Sequence, residues 1–363
     1  MKRILIVSHG AALGGSPISA LNIGRTLDPA RFEVVFAFGE QGPIVEQARS
    51  EGFTAEVVSH KGPLGLTMIR SYLELIKRQR IDIVHLNTLT SYYKYPGLAA
   101  WLSGKPVAWF VRENPEEKRC VRLRRYLNLI ARRVVTVSLD TAAHMSYVQP
   151  AKLMTIHNGV DLERFAPIGE QQAWERLNLA PGRYITTVAS LEQRKGVLDL
   201  LQAYHQVRPQ LEGMKLLIVG ADRTQEKRYL QQLKDYVQHH GLQQDVVFYG
   251  ESKDITAVMA ASSCFVMPSY WEGLSRVILE AMACARPLIV SSNGGNKEQV
   301  WEGVNGYSFV AGDVDHLARL LLRCIDTEQM AAMGAASRQL ASEHFPMTKT
   351  NAALETLYET LAC

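Results

Sequence analysis

The chain has 363 residues, 47% of them hydrophobic and 21% charged, which excludes a disordered or low-complexity protein. That length exceeds one ordinary core and suits two domains of roughly 150–200 residues each. The net charge of +4 is uneven, with 22 Lys/Arg against 14 Asp/Glu in residues 1–165 and 18 against 22 in residues 166–363. The two halves therefore differ in character, and neither has the basic excess or the basic-aromatic interleaving that would point to nucleic acid.

The first residues, Met1 to Ser8, contain the apolar run Ile4–Val7, too short for a signal sequence and suited to a buried first strand. No stretch reaches the roughly 20 apolar residues of a membrane-spanning helix, so a cytoplasmic protein is expected. The five cysteines, Cys120, Cys264, Cys284, Cys324 and Cys363, form no CxxC pair and are odd in number. Buried reduced thiols are expected rather than disulfides or a zinc site.

Short β-branched runs alternate with amphipathic stretches along the whole chain. The strand candidates of the first half are Ile4–Ser8, Glu33–Phe38, Ala55–Val58, Ile81–Leu86, Val107–Val111, Val134–Ser138 and Leu153–Ile156. Those of the second are Tyr184–Ala189, Lys215–Val219, Val246–Tyr249, Cys264–Met267, Leu288–Ser291 and Tyr307–Val310. Most are continuously apolar, as parallel strands covered on both faces are. Two doubly wound α/β domains in series follow. Asn158-Gly159, Pro167, Gly169 and Pro181-Gly182 punctuate the break between them. We expect an N-terminal domain over 1–165, a second over 166–345, and a C-terminal helix over 346–363, with Leu354, Leu357, Tyr358 and Leu361 at helical spacing, packing back toward the first domain. Two such domains leave a cleft at the carboxyl ends of their strands, so chemistry is sought just after strands.

After the first strand, Gly14-Gly15 can turn tightly, Ser16 can cap a helix and Pro17 suits its first turn. The spacing is not G-x-G-x-x-G, which disfavours a two-domain dehydrogenase. His85 and Asn87 end one strand, and Arg112 and Glu113 follow another; a lone His at a strand end is more often structural than catalytic. Residues 118–133 gather Lys118, Arg119, Arg122, Arg124, Arg125, Arg132 and Arg133 beside the stripe Leu123, Tyr126, Leu127 and Ile130. A domain helix with a solvated basic face is the plain reading, and contact with anionic lipid headgroups or a phosphorylated acceptor the sharper one.

In the second half, Ser190-Leu191-Glu192-Gln193-Arg194-Lys195-Gly196 ends a strand and opens a helix. Its adjacent cations can hold two phosphates or belong to an ordinary solvated loop. The sharpest segment is Pro268-Ser269-Tyr270-Trp271-Glu272-Gly273-Leu274-Ser275-Arg276-Val277-Ile278-Leu279-Glu280-Ala281-Met282-Ala283-Cys284. Gly273 permits close backbone approach, and Ser275 can cap a helix whose start suits a diphosphate. Glu280 lies in an apolar run, where a carboxylate is costly without donors. A ribose diol would supply them, and a neighbouring Arg would serve as well. Asn293-Gly294-Gly295-Asn296-Lys297-Glu298 is a further glycine turn.

The segment Glu272 to Cys284 resembles the E-x7-E signature of the family 4 retaining glycosyltransferases, which have the two-domain GT-B fold. Lys195-Gly196, the Gly294-Gly295 loop, Gly14-Gly15 and Asn158-Gly159-Val160-Asp161 with Phe165 match other stretches of that family. The resemblance covers nearly the whole chain and is weak between residues 40 and 150. Ser190 stands where the family often has Arg, and Arg112-Glu113 where it often has a His. The resemblance implies transfer of a hexosyl group from a nucleoside diphosphate sugar, UDP-sugar before GDP-sugar, to a glycan or lipid-linked acceptor in cell-surface polysaccharide biosynthesis. Glu272 would approach the donor sugar and Glu280 hold the ribose. Arg194, Lys195, Gly14, Gly15, Ser190, Gly273, Leu274 and Ser275 would surround the diphosphate, with His85, Asn87, Arg112 and Glu113 on the acceptor side. No DxD-type metal site is evident, so no metal or other cofactor is expected. The alternatives are a nucleotide-sugar epimerase of the same fold and a non-catalytic binding subunit.

Overall fold

The computed structural model describes residues 1–10, 15–58, 65–113, 117–222 and 227–362, with side chains throughout except at 117–122. The chain folds as two units, Met1–His157 with Thr348–Cys363, and Asn158–Met347.

The first unit is a parallel sheet of β1 (Lys2–Ser8), β2 (Phe32–Phe38), β3 (Thr54–Val57), β4 (Ile83–Leu86), β5 (Val107–Val111), β6 (Arg133–Thr136) and β7 (Leu153–Thr155). Its strand order is β3-β2-β1-β4-β5-β6-β7. The second is a parallel sheet of β8 (Tyr184–Val188), β9 (Lys215–Val219), β10 (Val246–Gly250), β11 (Ser262–Met267), β12 (Leu288–Ser291) and β13 (Gly306–Phe309), ordered β10-β9-β8-β11-β12-β13. Every expected strand is present, its edges displaced by a residue or two. Both sheets are Rossmann-like, and each reverses its winding once, between β1 and β4 in the first and between β8 and β11 in the second. Such switch points splay consecutive loops apart and open a ligand crevice at the carboxyl ends of the strands.

Both faces of each sheet are covered, which is why the strands read as continuous apolar runs. In the first unit, Leu5, Val7, Val84 and Trp109 face one core cluster and Ile4, Ile6, Phe36 and Phe110 the other. The helix Met347–Ala362 joins that second cluster through Leu354, Leu357, Tyr358 and Leu361. Each such buried side chain contributes about 1.5–3 kcal/mol of transfer free energy. Leu123, Leu127 and Ile130 of the helix Glu117–Ile130 are likewise buried, so the stripe beside the basic residues faces the core, while Arg124 and Arg125 are exposed. The side chains of Lys118, Arg119 and Arg122 lie outside the described residues, as do those of Cys120 and Cys363. Cys264, Cys284 and Cys324 are free and buried. Among the described residues, no helix is long and apolar enough to cross a membrane.

The break falls at 157/158, before the expected 165/166, and the reason is Arg338. Its guanidinium donates to the carbonyls of Phe165 (3.3 Å), Leu162 (3.3 Å) and Ala283. The buried thiol of Cys284 also donates to the Phe165 carbonyl, at 3.6 Å. The stretch 158–165 is thereby tied to the second unit. Arg338→Met should leave three carbonyls without these donors and lower stability by about 2–4 kcal/mol, measured as a shift in the urea midpoint of the transition followed by tryptophan fluorescence.

Candidate active site

The loops after β8 and β11 flank the switch point of the second sheet. The β8 loop runs from Ala189 through a 3-10 turn, Gln193–Lys195, to Gly196, which opens the helix Val197–Val207. Gly196 has φ 64°, and a Cβ there would meet the Pro268 carbonyl oxygen at 2.2 Å. Only glycine both tolerates this conformation and lets the two loops touch. The Tyr270 N–H then donates to the Arg194 carbonyl at 2.8 Å. Asp199 lies in the first turn of that helix, and burial raises its pKa.

Glu272 is held on its other side by the loop after β12. Gly294 has φ 68°, a Cβ there would lie 2.1 Å from the Glu272 carbonyl oxygen, and the Gly295 N–H donates to that oxygen at 3.1 Å. Both glycines of the expected turn are therefore used to brace the Glu272 backbone. So fixed, the Glu272 carboxylate meets Lys195 Nζ at 2.5 Å and lies 3.7 Å from Arg194 Nη1. The Lys195 and Glu272 side chains are only 12% and 13% exposed. Arg194 also pairs with Glu192 at 2.9 Å, and Ser190 Oγ donates to the same Glu192 oxygen at 2.8 Å. The Ser190 hydroxyl is thus occupied inside the loop. Glu192, which no motif singles out, neutralises one of the two cations.

The helix Arg276–Ala283 follows with Ser275 at its N-cap, but the Ser275 hydroxyl makes no cap bond, contrary to expectation. The Gln299 side chain does the fixing. It accepts from the Ser275 N–H at 3.2 Å and donates to the Ser275 carbonyl at 2.8 Å. The first turn therefore keeps N–H groups that no side-chain cap consumes, with the positive end of the helix dipole behind them. Gly273 and Leu274 are buried, and Asn158 Nδ2 donates to the Leu274 carbonyl at 3.0 Å. About one turn along, Glu280 is half-buried, and its carboxylate accepts no hydrogen bond from the described residues. Burial raises its pKa, against the opposing charges of Arg276 and Arg164. Neither arginine forms an ion pair with it.

In the first unit, Gly14 lies outside the described residues and Gly15 opens the helix Gly15–Thr26. Asn87 is fully buried at the end of β4; its Nδ2 donates to the Ser16 carbonyl at 2.8 Å and to Ser16 Oγ at 3.0 Å. Arg112 Nε donates to the Asn87 carbonyl at 3.0 Å and to Asn87 Oδ1 at 2.8 Å, while Glu113 is exposed. His85 is a core residue rather than an acceptor contact. It is fully buried, its ring is stacked on Phe110 at 3.9 Å, and its Nδ1 lies 2.6 Å from the Tyr358 hydroxyl. Burial, reinforced by the Arg112 charge, holds its pKa well below the ordinary value. His9 belongs to no recognisable motif, yet its backbone N–H and Nδ1 both lie 3.0 Å from the Tyr93 hydroxyl. Among the described residues, no cluster of three or more His, Cys, Asp or Glu is arranged to hold a metal ion.

The chain matches known proteins over both halves. Residues 171–340 fit the family model of glycosyl transferases group 1, and residues 13–164 fit that of glycosyltransferase family 4. The chain belongs to the family 4 glycosyltransferases. It is 29% identical over 307 residues to an Escherichia coli UDP-Gal:alpha-D-GlcNAc-diphosphoundecaprenol alpha-1,3-galactosyltransferase, covering 79% of this chain and 78% of the relative. It is 23% identical to the N-acetyl-alpha-D-glucosaminyl L-malate synthase of Bacillus anthracis, over 99% and 97% of the two chains. The crystal structure of Anabaena HepE in complex with UDP and glucose superposes with a TM-score of 0.89 at 22% identity, over 99% of this chain and 100% of that one. The family's chemistry makes this chain a transferase, and its fold is of the GT-B type.

Glu280 has a measurable signature of its own. Its folded-state pKa is raised, so between the unfolded and folded values the native state holds more protons, and stability falls as pH rises through the folded pKa. Glu280→Gln should therefore raise the thermal midpoint of the ligand-free protein at pH 7.5, and the gain should disappear below about pH 4, where both states are protonated.

Proposed function

We propose that this enzyme transfers a hexosyl group from a nucleoside diphosphate sugar to a hydroxyl of a glycan or lipid-linked acceptor, with retention at the anomeric carbon, in cell-surface polysaccharide biosynthesis. The observation that carries this is the junction at β8 and β11: two cations and a helix start without a side-chain cap beside one carboxylate, with a second carboxylate eight residues on that has no partner among the described residues. The first group suits a diphosphate leaving group, which must be stabilised as its bond to the anomeric carbon breaks. Arg194, Lys195 and the N–H groups following Ser275 would take its oxygens. Glu272 would accept from sugar hydroxyls and favour the cationic transition state. Glu280 would gain two donors from the ribose diol, which resolves the cost of leaving it half-buried.

In this reading the acceptor oxygen bonds to the anomeric carbon on the face the diphosphate leaves, and its proton passes to a phosphate oxygen. UDP is favoured as the nucleotide because it is named for both the Escherichia coli relative and the Anabaena structure. The acceptor would engage the first unit near Asn87, Arg112 and Glu113, after β4 and β5. The exposed Arg124, Arg125 and Leu129 of one helix support peripheral contact with an anionic membrane.

A thermal-shift screen of UDP, GDP, ADP and their sugars should give one nucleotide as clear winner. With that donor, Glu272→Gln should lower the transfer rate by about 10²–10³ with the fold intact, the loss typical of one electrostatic stabiliser. Full activity in that variant would sink the assignment. Protein cations, rather than a bound ion, carry the diphosphate in this proposal. Turnover should then persist in excess EDTA, and loss of activity restored by a divalent ion would refute that part.

A further inference from the structure

We infer that Glu272 also discriminates the intact donor from the spent nucleoside diphosphate, by competing with phosphate for Lys195. The inference rests on the reading of the second unit as a nucleotide-sugar site. Lys195 Nζ and the Glu272 carboxylate are 2.5 Å apart, and each side chain is nearly nine-tenths buried. Their positions are set from the backbone, because Gly196 pins the β8 loop to Pro268 and Gly294 pins Glu272. The backbone beneath each partner is therefore fixed. One ammonium so enclosed cannot form a close pair with this carboxylate and with a phosphate oxygen at full strength, so a diphosphate entering beside Lys195 must weaken the Glu272 contact.

What happens to Glu272 next depends on the ligand. An intact donor brings sugar hydroxyls, which donate to the carboxylate and replace the lost ammonium. A nucleoside diphosphate brings none. Its binding leaves a largely buried carboxylate with Arg194 at 3.7 Å as its nearest remaining cation, and Arg194 is already shared with Glu192 at 2.9 Å. An ionised group stripped of its partner in such a place is expensive. The product therefore carries a penalty that the donor escapes. The Lys195–Glu272 pair re-forms as the product leaves, which favours release after transfer.

The test is calorimetric titration of the full chain with UDP and UDP-glucose, and with GDP and GDP-mannose in parallel. The proteins are the wild type, Glu272→Gln, Lys195→Met and the double variant. Glu272→Gln should bind the nucleoside diphosphate about tenfold more tightly than the wild type, the lower end of what coupling between close charges yields. It should bind the sugar nucleotide no more tightly. In the Lys195→Met background the Glu272 substitution should change diphosphate affinity little, because the contested group is gone. Glu272→Ala serves as a second probe if the glutamine variant folds poorly. A merely structural Glu272 would give weaker diphosphate binding on substitution. That result, or a tightening that survives Lys195→Met, overturns the inference while leaving the nucleotide site standing. If none of the four ligands binds the wild type, the reading of the site fails and this inference fails with it.

Discussion

The close approach of two backbone segments at the switch point of the second sheet sets everything else in the site. The β8 and β11 loops touch where Gly196 meets the Pro268 carbonyl, and no side chain fits between them. From that contact follow the hydrogen bond from Tyr270 to Arg194, the reach of Lys195 to Glu272, and the start of the helix Arg276–Ala283. A parallel sheet supplies the setting without further design, since its winding reverses between β8 and β11 and the loops there cannot both be covered by crossover helices. The glycines convert that opening into a rigid corner. Cations on a mobile loop would lose rotamer entropy on binding an anion, whereas here much of that ordering is complete beforehand.

That rigidity has an energetic counterpart in the cores. A half-buried carboxylate without donors among the described residues and a helix start without a side-chain cap both work against folding. They are tolerated because the surrounding sheet is packed on both faces, by Leu200, Leu201 and Tyr204 against one side and Ala257 and Val258 against the other. The first unit handles its polar residues differently. Asn87 and Arg112 are tied into a local network with Ser16, and His85 is held neutral between Phe110 and Tyr358, so these groups support the architecture of the strand ends.

The loops after β8 and β11 were legible in the sequence because their information is local. Strand, glycine, cation and helix start follow one another within a few residues, and the E-x7-E spacing spans a single loop and helix. What stayed hidden depends on residues far apart in the chain. Gln299 fixes the Ser275 backbone from 24 residues away, and no composition rule selects it among other glutamines. Arg338 draws 158–165 into the second unit across 173 residues to Phe165. The burial of His85 depends on Tyr358, 273 residues on. His9 escaped notice because its hold on Tyr93 spans 84 residues. Glu192 was within sight, next to Arg194 and Lys195, but an acidic residue in a basic loop reads as solubilising until its distances are known.

The two signature carboxylates end in opposite states, and the contrast bears on how the site works. Glu272 has a cation at 2.5 Å, whereas Glu280 has neither an ion pair nor a hydrogen bond among the described residues, and a pKa pushed up by burial. A ligand that served both must therefore do two different things along one segment: take a cation from the first carboxylate and give donors to the second. A nucleoside diphosphate sugar has the parts in the right order, a polyol at one end, an anion in the middle and a diol beyond it. In the proposed reading, Glu280 would gain donors from the nucleoside whether or not a sugar is attached, while Glu272 would lose Lys195 to any diphosphate and be compensated only by the sugar. In that reading affinity and discrimination would be separated onto two residues of one loop-and-helix segment, and each could change without the other.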